Sequence, residues 1–288
     1  MQAVLILAHN DPKFVYNLGK VLSNQFEVYI HFDTKCVLTL EDKKKFSEAN
    51  LNVYSIEDVK WGSWSIVKAT IYLMEQALNN KNIEYVHLIS GQDWPVKSVK
   101  EIYDFYCGKN EIFLSCHPAK NIKKTGESIE NWQKFYFNYD VINRKSLLGK
   151  IYHRVSFWGQ YILCIDKLKH LNLNIGLYHG SQWADLPRDA VEFLLKEIND
   201  NRKFQKLFST GFCSDEFWMQ TILYNKECYR SRIVVNNHRY IKWTYKHGSS
   251  PAILDEEEYS DICESDCHFA RKLTREYSYK LIKLLGVN

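Results

Sequence analysis

The sequence predicts a wound α/β fold with a mainly parallel sheet, in a single domain whose C-terminal half is elaborated. Two observations carry that prediction. Through the first 116 residues, apolar runs of strand length alternate with helical segments, the pattern of consecutive βαβ units. Asn10, Asp33 and Asp93 each fall just past the carboxyl end of such a run, where wound sheets hold their ligands.

The elements follow in order. "AVLILA" is a continuous apolar strand, and Asp11-Pro12 supplies the N-cap and first helical residue for "KFVYNLGKVLS". "FEVYIHF" is a second strand that stops at Asp33. "TLEDKKKFSEA" is a polar helix, "LNVYSI" a third strand, and "SWSIVKATIYLMEQALNN" a longer helix with apolar residues at helical spacing. "YVHLI" is a fourth strand, which "SGQDWPVKS" interrupts. Proline lacks the donor a central ladder needs, and Gly-Gln-Asp is loop chemistry. Ser98 and Glu101 then form a capping box that opens the helix "VKEIYDFY", and "EIFLSC" is a fifth strand.

The second half has weaker periodicity. From Glu127 to Phe157 aromatic residues, Asn and Lys mix without a helical or strand period. "LYHGSQWADLPRDAVEFLLKEI" reads as a Gly-Ser turn entering an amphipathic helix. "GFCSDEFWMQTILYN" reads as a helix capped by Ser214, with Asp215 and Glu216 in its first turn. "HRYIKWTY" is a short alternating strand. The acidic run "DEEEYSD" precedes "HFARKLTREYSYKLIKLL", read as a basic amphipathic C-terminal helix. No repeat, low-complexity tract or linker divides the 288 residues, so one domain spanning 1–288 is expected.

Several function classes are disfavoured. With 38 basic against 34 acidic residues the net charge is +4, too small to argue for nucleic acid. No apolar run approaches the roughly 20 residues of a membrane span, and no basic region precedes "AVLILA" as in a signal peptide. The eight cysteines contain no C-x-x-C pair, which favours free thiols in a cytosolic protein over a zinc or disulfide framework. Neither G-x-G-x-x-G nor G-x-x-x-x-G-K-[ST] occurs, so dinucleotide and P-loop sites are disfavoured, and without H-E-x-x-H so is a metal hydrolase.

Seven motifs in register point further: "YIHFDTK", "WGSWSIVKA", "LISGQDWPVKS", "GSQWADLPRDAV", "SDEFWMQTIL", "RYIKW" and "HFARKL". From about Val4 to Leu273 the chain resembles the core-2/I-branching glycosyltransferases, a family that includes β-1,6-N-acetylglucosaminyltransferases and peptide-O-xylosyltransferases. The resemblance implies a GT-A-type fold and inverting transfer of a sugar, N-acetylglucosamine or xylose, from a UDP-sugar to a glycan hydroxyl. It also implies no divalent metal or other cofactor, and the sequence indeed contains no Asp-x-Asp triplet. Residues 1–116 would bind the nucleotide-sugar, and residues 117–288 would bind the acceptor and carry the catalytic group.

Individual roles follow from the resemblance. Glu216 looks like the base that takes the acceptor proton, with its pKa lowered by the helix N-terminus. Arg271 and Lys272 look like the clamp on the diphosphate, with Lys246 and His247 as helpers. Asp33, with His9 and Trp61 around it, resembles the uridine site, and Gln92 and Asp93 would line the sugar-nucleotide pocket. Trp243, Tyr245, Gln182 and Trp183 match an acceptor platform, and Glu130 would touch acceptor hydroxyls. Two positions depart from the family pattern. Ser214 replaces the usual proline before the acid pair, and Gln182 stands where xylosyltransferase relatives carry an acid, which speaks against a xylosyltransferase-type acceptor.

Read without the family, each residue has a plainer meaning: Glu216 as a helix-terminal acid, Arg271 and Lys272 as a solvated face, Trp183 as core. The resemblance is to a bacterial cytosolic member acting on a lipid-linked glycan for surface polysaccharide, with the C-terminal helix in peripheral membrane contact. A non-catalytic nucleotide-sugar or glycan-binding protein on the same fold is the alternative.

Overall fold

The computed structural model describes residues 1–287. The first half comprises β1 (Gln2–Ala8), α1 (Pro12–Leu22), β2 (Glu27–Phe32), α2 (Leu40–Glu48), β3 (Asn52–Tyr54), α3 (Ser65–Leu78), β4 (Tyr85–Ser90), β5 (Asp93–Pro95), α4 (Val99–Tyr106) and β6 (Ile112–Leu114). Local chemistry sets the boundaries as expected. Asp11 accepts the Phe14 amide at 3.1 Å with Pro12 starting α1, and Ser98 and Glu101 form the reciprocal box that starts α4.

The seven-stranded sheet runs β3-β2-β1-β4, then Ala184–Pro187, β6 and Ile233–Val234. Ala184–Pro187 is antiparallel to both its neighbours, β4 and β6, while the other pairs are parallel. All seven residues of β1 are buried because helices cover both faces, which is why its sequence is apolar throughout. Ala3, Leu5 and Leu7 join the core under α3 and the helix Arg188–Asp200, whereas Val4, Ile6 and Ala8 join the core under α1 and α4.

Four sequence expectations are corrected. The segment before Arg188 is a central strand rather than part of a turn. "ADLP" is too short to show a period and carries a buried acid at its middle. Asp93–Pro95 does not stay a loop: it pairs antiparallel with Phe269–Arg271, which pairs parallel with Arg239–Ile241 in a second, three-stranded sheet. The "FAR" of "HFARKL" is therefore strand, with Phe269 and Ala270 fully buried, and the C-terminal helix is confined to Tyr279–Leu285. At Ser214 the chain makes a 3₁₀ turn, Ser214–Glu216, before the helix Trp218–Tyr224. The Ser214 hydroxyl is buried on the Phe208 carbonyl at 2.6 Å and caps nothing. The aperiodic stretch contains the helices Glu130–Lys134 and Leu147–Ile162.

A buried polar network joins the two sheets. Arg239 forks onto both oxygens of Asp185 at 2.7 and 2.8 Å, and both side chains are fully buried. Tyr106 donates to Asp185 at 2.8 Å, and His87 lies 2.9 Å from Asp185 and 3.0 Å from Gln2. Burial opposes ionisation of Asp185, but the Arg239 charge and the His87 and Arg239 hydrogen bonds overcome it and hold the carboxyl far below its usual range.

Arg239→Met strands that carboxylate without its counter-charge. It should cost about 3–5 kcal/mol, and the double variant Asp185→Leu/Arg239→Met should recover part of the loss. Urea midpoints measure both; a single variant as stable as the native protein would remove the pair from this role.

Candidate active site

Past the end of β6, His117–Pro118 pairs antiparallel with Tyr178–His179, setting His179 opposite His117. The next residue must be glycine. A Cβ on Gly180 would lie 1.7 Å from the Ser115 carbonyl oxygen, while the Gly180 amide donates to the Glu216 carbonyl at 2.9 Å. These contacts bring the Ser214–Glu216 turn against His179. The Nε2 of His179 donates to Glu216 Oε2 at 2.8 Å, and Lys124 Nζ reaches the same oxygen at 3.1 Å. Lys124 comes from the hairpin Lys123–Lys124/Glu127–Ser128, whose turn residues Thr125 and Gly126 both have positive φ.

The two adjacent acids are pushed apart in pKa. Burial pushes Glu216 up, but the His179 hydrogen bond and the Lys124 charge outweigh it, so the carboxyl lies below its usual value. These neighbours lower it, where the sequence suggested a helix N-terminus. Burial and the Glu216 charge together drive Asp215 well above the carboxylate range, and its Oδ1 is buried without a hydrogen-bond partner. One neighbour thus stays an anion while the other favours its proton, the separation expected of groups with different chemical roles.

The second centre is cationic. Arg271 closes the strand Phe269–Arg271 with its side chain 11% exposed, and its guanidinium lies 4.2 Å over the Trp183 ring. Its Nη1 is 3.6 Å from Asp93 Oδ1, too far for a hydrogen bond, and has no other partner. Asp93 is itself fixed by the Ser90 amide at 3.0 Å and the Ser90 hydroxyl at 2.7 Å. The interruption "SGQDWPVKS" therefore holds Arg271 in place. Lys272 donates to the Ser249 hydroxyl at 3.2 Å, and its pKa is lowered by burial and by the Arg271 and Lys145 charges. His9 is lowered by burial, and the Lys272, Lys145 and Arg271 charges reinforce this against Asp33. Among the described residues no carboxylate forms an ion pair with Lys272 or Lys145. Such crowding of like charge is relieved by an anionic ligand.

The remaining expected residues divide. Asp33 is buried just past β2, accepts from the Lys35 amide at 2.9 Å and forms an ion pair with the Lys35 ammonium at 2.9 Å. Gln92 lines an open cleft of about 460 Å³ with Asn10, Gly91, Leu273 and Arg275, and its carbonyl accepts the Leu273 amide at 2.7 Å. Trp61 is exposed, with the Lys145 ammonium 5.5 Å from its ring centre. Trp183 is buried beneath Arg271, on the cationic side of the site. Gln182, just before it, is partly exposed. Trp243 and Tyr245 are well exposed beyond Arg239–Ile241.

Three residues are engaged elsewhere. Lys246 contacts Asp255, Glu257 and Glu258 at 2.7–3.0 Å, and His247 lies 2.6 Å from Asp255. Those three acids are grouped closely enough for a metal ion, but the Lys246 ammonium occupies their centre. Glu130 pairs with Lys134 at 3.1 Å.

His179, Lys124 and Lys145 were not found from sequence. His179 could have been noticed as a titratable residue directly before "GSQW". The two lysines lie in aperiodic sequence that gives no sign of their position.

Comparison with known proteins bears on this geometry. Over 233 residues the chain is 21% identical to xylosyltransferase sqv-6 of Caenorhabditis elegans, covering 78% of this chain and 26% of that protein. The chain thus spans well under half of that relative. The apo structure of the bifunctional glycosyltransferase WbbM aligns with TM-score 0.44 and 11% identity over 99% of this chain and 50% of that one. The galactosyltransferase LgtC, solved with donor and acceptor sugar analogues, aligns with TM-score 0.40 and 10% identity over 96% and 88%. The family model for the core-2/I-branching enzyme matches residues 9–268, a span that includes Lys124, His179 and Glu216 and ends just before the strand of Arg271. The chain belongs to the core-2/I-branching enzyme family of glycosyltransferases.

Proposed function

We propose that the chain is an inverting, metal-independent transferase that moves N-acetylglucosamine or xylose from a UDP-sugar to a glycan hydroxyl. One observation carries the reading. A partly exposed carboxylate, Glu216, is kept ionised by His179 and Lys124, and residues 179–183 link it to the under-partnered guanidinium of Arg271. Both Glu216 contacts fall on Oε2, leaving Oε1 for an acceptor hydroxyl.

The chemistry then divides between the centres. The acceptor oxygen attacks the anomeric carbon from the face opposite UDP, and Glu216 takes its proton as the new bond forms. The bond to the diphosphate oxygen breaks, and its electron pair leaves with UDP. Arg271 and Lys272 balance the charge that develops there, a task that a metal held by Asp-x-Asp would otherwise perform. Asp215, raised by burial and by the Glu216 charge, favours its proton and so leaves Glu216 as the anion of the pair. A lipid-linked glycan of a surface polysaccharide, used on the cytoplasmic side, is the acceptor class we favour.

Glu216→Gln should preserve UDP-sugar binding and lower turnover by about 10²–10⁴-fold, whereas Asp215→Asn, an isostere of the protonated acid, should do less. Near-normal turnover in Glu216→Gln would falsify the base assignment. EDTA should leave the native rate unchanged in assays with a panel of UDP-sugars; loss on chelation and recovery with manganese would sink metal independence. Complete absence of turnover across that panel would favour a binding protein.

Removing Arg271 and Lys272 together, as Ala variants, should weaken UDP binding by roughly 1.5–3 kcal/mol per lost contact, read by calorimetry. His179→Phe removes a donor that stabilises the Glu216 anion, so Glu216 should need higher pH to ionise. The acidic limb of the pH–rate profile should accordingly move to higher pH, and an unmoved limb would assign it to another group.

A further inference from the structure

The helix Leu147–Ile162 is amphipathic in an inverted sense. Ser146 caps it by accepting the Gly149 amide at 3.0 Å, and its 16 residues make a rod about 24 Å long. The face turned into the protein carries Gly149, His153 and Phe157, with the His153 ring bonded to Tyr139 at 2.6 Å and Glu127 at 3.1 Å. The face turned to solvent carries Leu147, Leu148, Ile151, Val155, Trp158 and Ile162, each more than half exposed. At 3.6 residues per turn these six form one stripe running the length of the helix, opposite the buried side. A stripe of this kind on a monomer marks an interaction surface.

The charge around the stripe selects its occupant. No Asp or Glu occurs between Val141 and Ile165, while Arg144, Lys145, Lys150 and Arg154 all do. Lys150 and Arg154 are exposed and border the apolar stripe along one edge. Tyr161 and Trp158 add aromatic rings of the type that settle at headgroup level. A second copy of the same helix would meet these cations with cations. An anionic lipid surface meets them with charge of the opposite sign.

We propose that this face docks the protein on an anionic membrane surface, with the helix lying in the plane of the headgroups. No described helix is long and apolar enough to cross a membrane, so the contact is peripheral. The C-terminal helix, expected from the sequence to make this contact, offers no comparable face. It has seven residues, Leu281 is buried, and Lys280 pairs with Glu256 at 2.8 Å. The helix also lies beside the candidate site. Lys145 at the start of the helix acts on His9 and Lys272, and Glu127, bonded to His153, closes the hairpin that carries Lys124.

The test is sedimentation of the full chain with phosphatidylcholine vesicles, with and without phosphatidylglycerol. Binding should require the anionic lipid and weaken with salt. Ile151→Glu/Val155→Glu, both at exposed positions, should abolish it while circular dichroism stays native. Lys150→Ala and Arg154→Ala should each weaken it by about fivefold. Failure of the native chain to bind anionic vesicles overturns the proposal. So does binding that survives the Glu variants, or a solution dimer that those variants dissolve.

Discussion

The fork between Arg239 and Asp185 is the contact on which the site depends. Asp185 stands in the one antiparallel strand of the main sheet, and Arg239 begins a strand of the second. Two charges removed from water repay their desolvation only with good geometry and further hydrogen bonds, and here Tyr106 and His87 supply them. With Arg239 fixed, the ladder places Phe269 opposite Arg239 and Arg271 opposite Ile241, while β5 on the other side places Asp93 opposite Arg271. Arg271 therefore reaches Trp183 by a chain of register constraints that starts in the core.

The same architecture explains the electrostatics. Parallel strands end on a common edge, and polar residues that could not be buried within the sheet collect beyond it. His9 follows β1, Asp33 follows β2 and Asp93 follows β4, while the antiparallel strand begins at the same edge just after Trp183. Carboxylate chemistry and cationic chemistry are separated along this edge. Glu216 and Asp215 lie on the side of the His117–His179 pair, and Arg271, Lys272 and Lys145 on the side of His9. In the proposed transfer the proton of the attacking hydroxyl would go to the first centre and the negative charge of the leaving group to the second.

Legibility in the sequence followed the range of the interactions. The βαβ half was readable because each element carries its own signal: the burial of β1, the Asp11-Pro12 start and the Ser98–Glu101 box are all local. "ADLP" and "FAR" were missed because their strand character comes from partners far away in the chain, which no local period can encode. The helix Leu147–Ile162 was hidden for another reason. Its buried face is Gly, His and Phe, and its exposed face is aliphatic, the reverse of the pattern used to recognise a helix. Of the site, Glu216 and Arg271 came from motifs, whereas Lys124 and Lys145 are placed by a hairpin and a helix start that only the folded chain reveals.

The pairing of β5 with Phe269–Arg271 also orders events in folding. Asp93 directly follows β4, in the half of the chain that local contacts can assemble early, but the strand that completes its ladder lies near the far end of the chain. Closing so long a loop is entropically slow compared with forming neighbouring βαβ units. A chain still emerging from the ribosome can thus build its parallel sheet while Arg271 is absent and the ladder beside Asp93 stands open. On the function proposed above, affinity for an anionic donor would arise only when the last strand docks, and an unfinished molecule would have no means of drawing on the nucleotide-sugar pool.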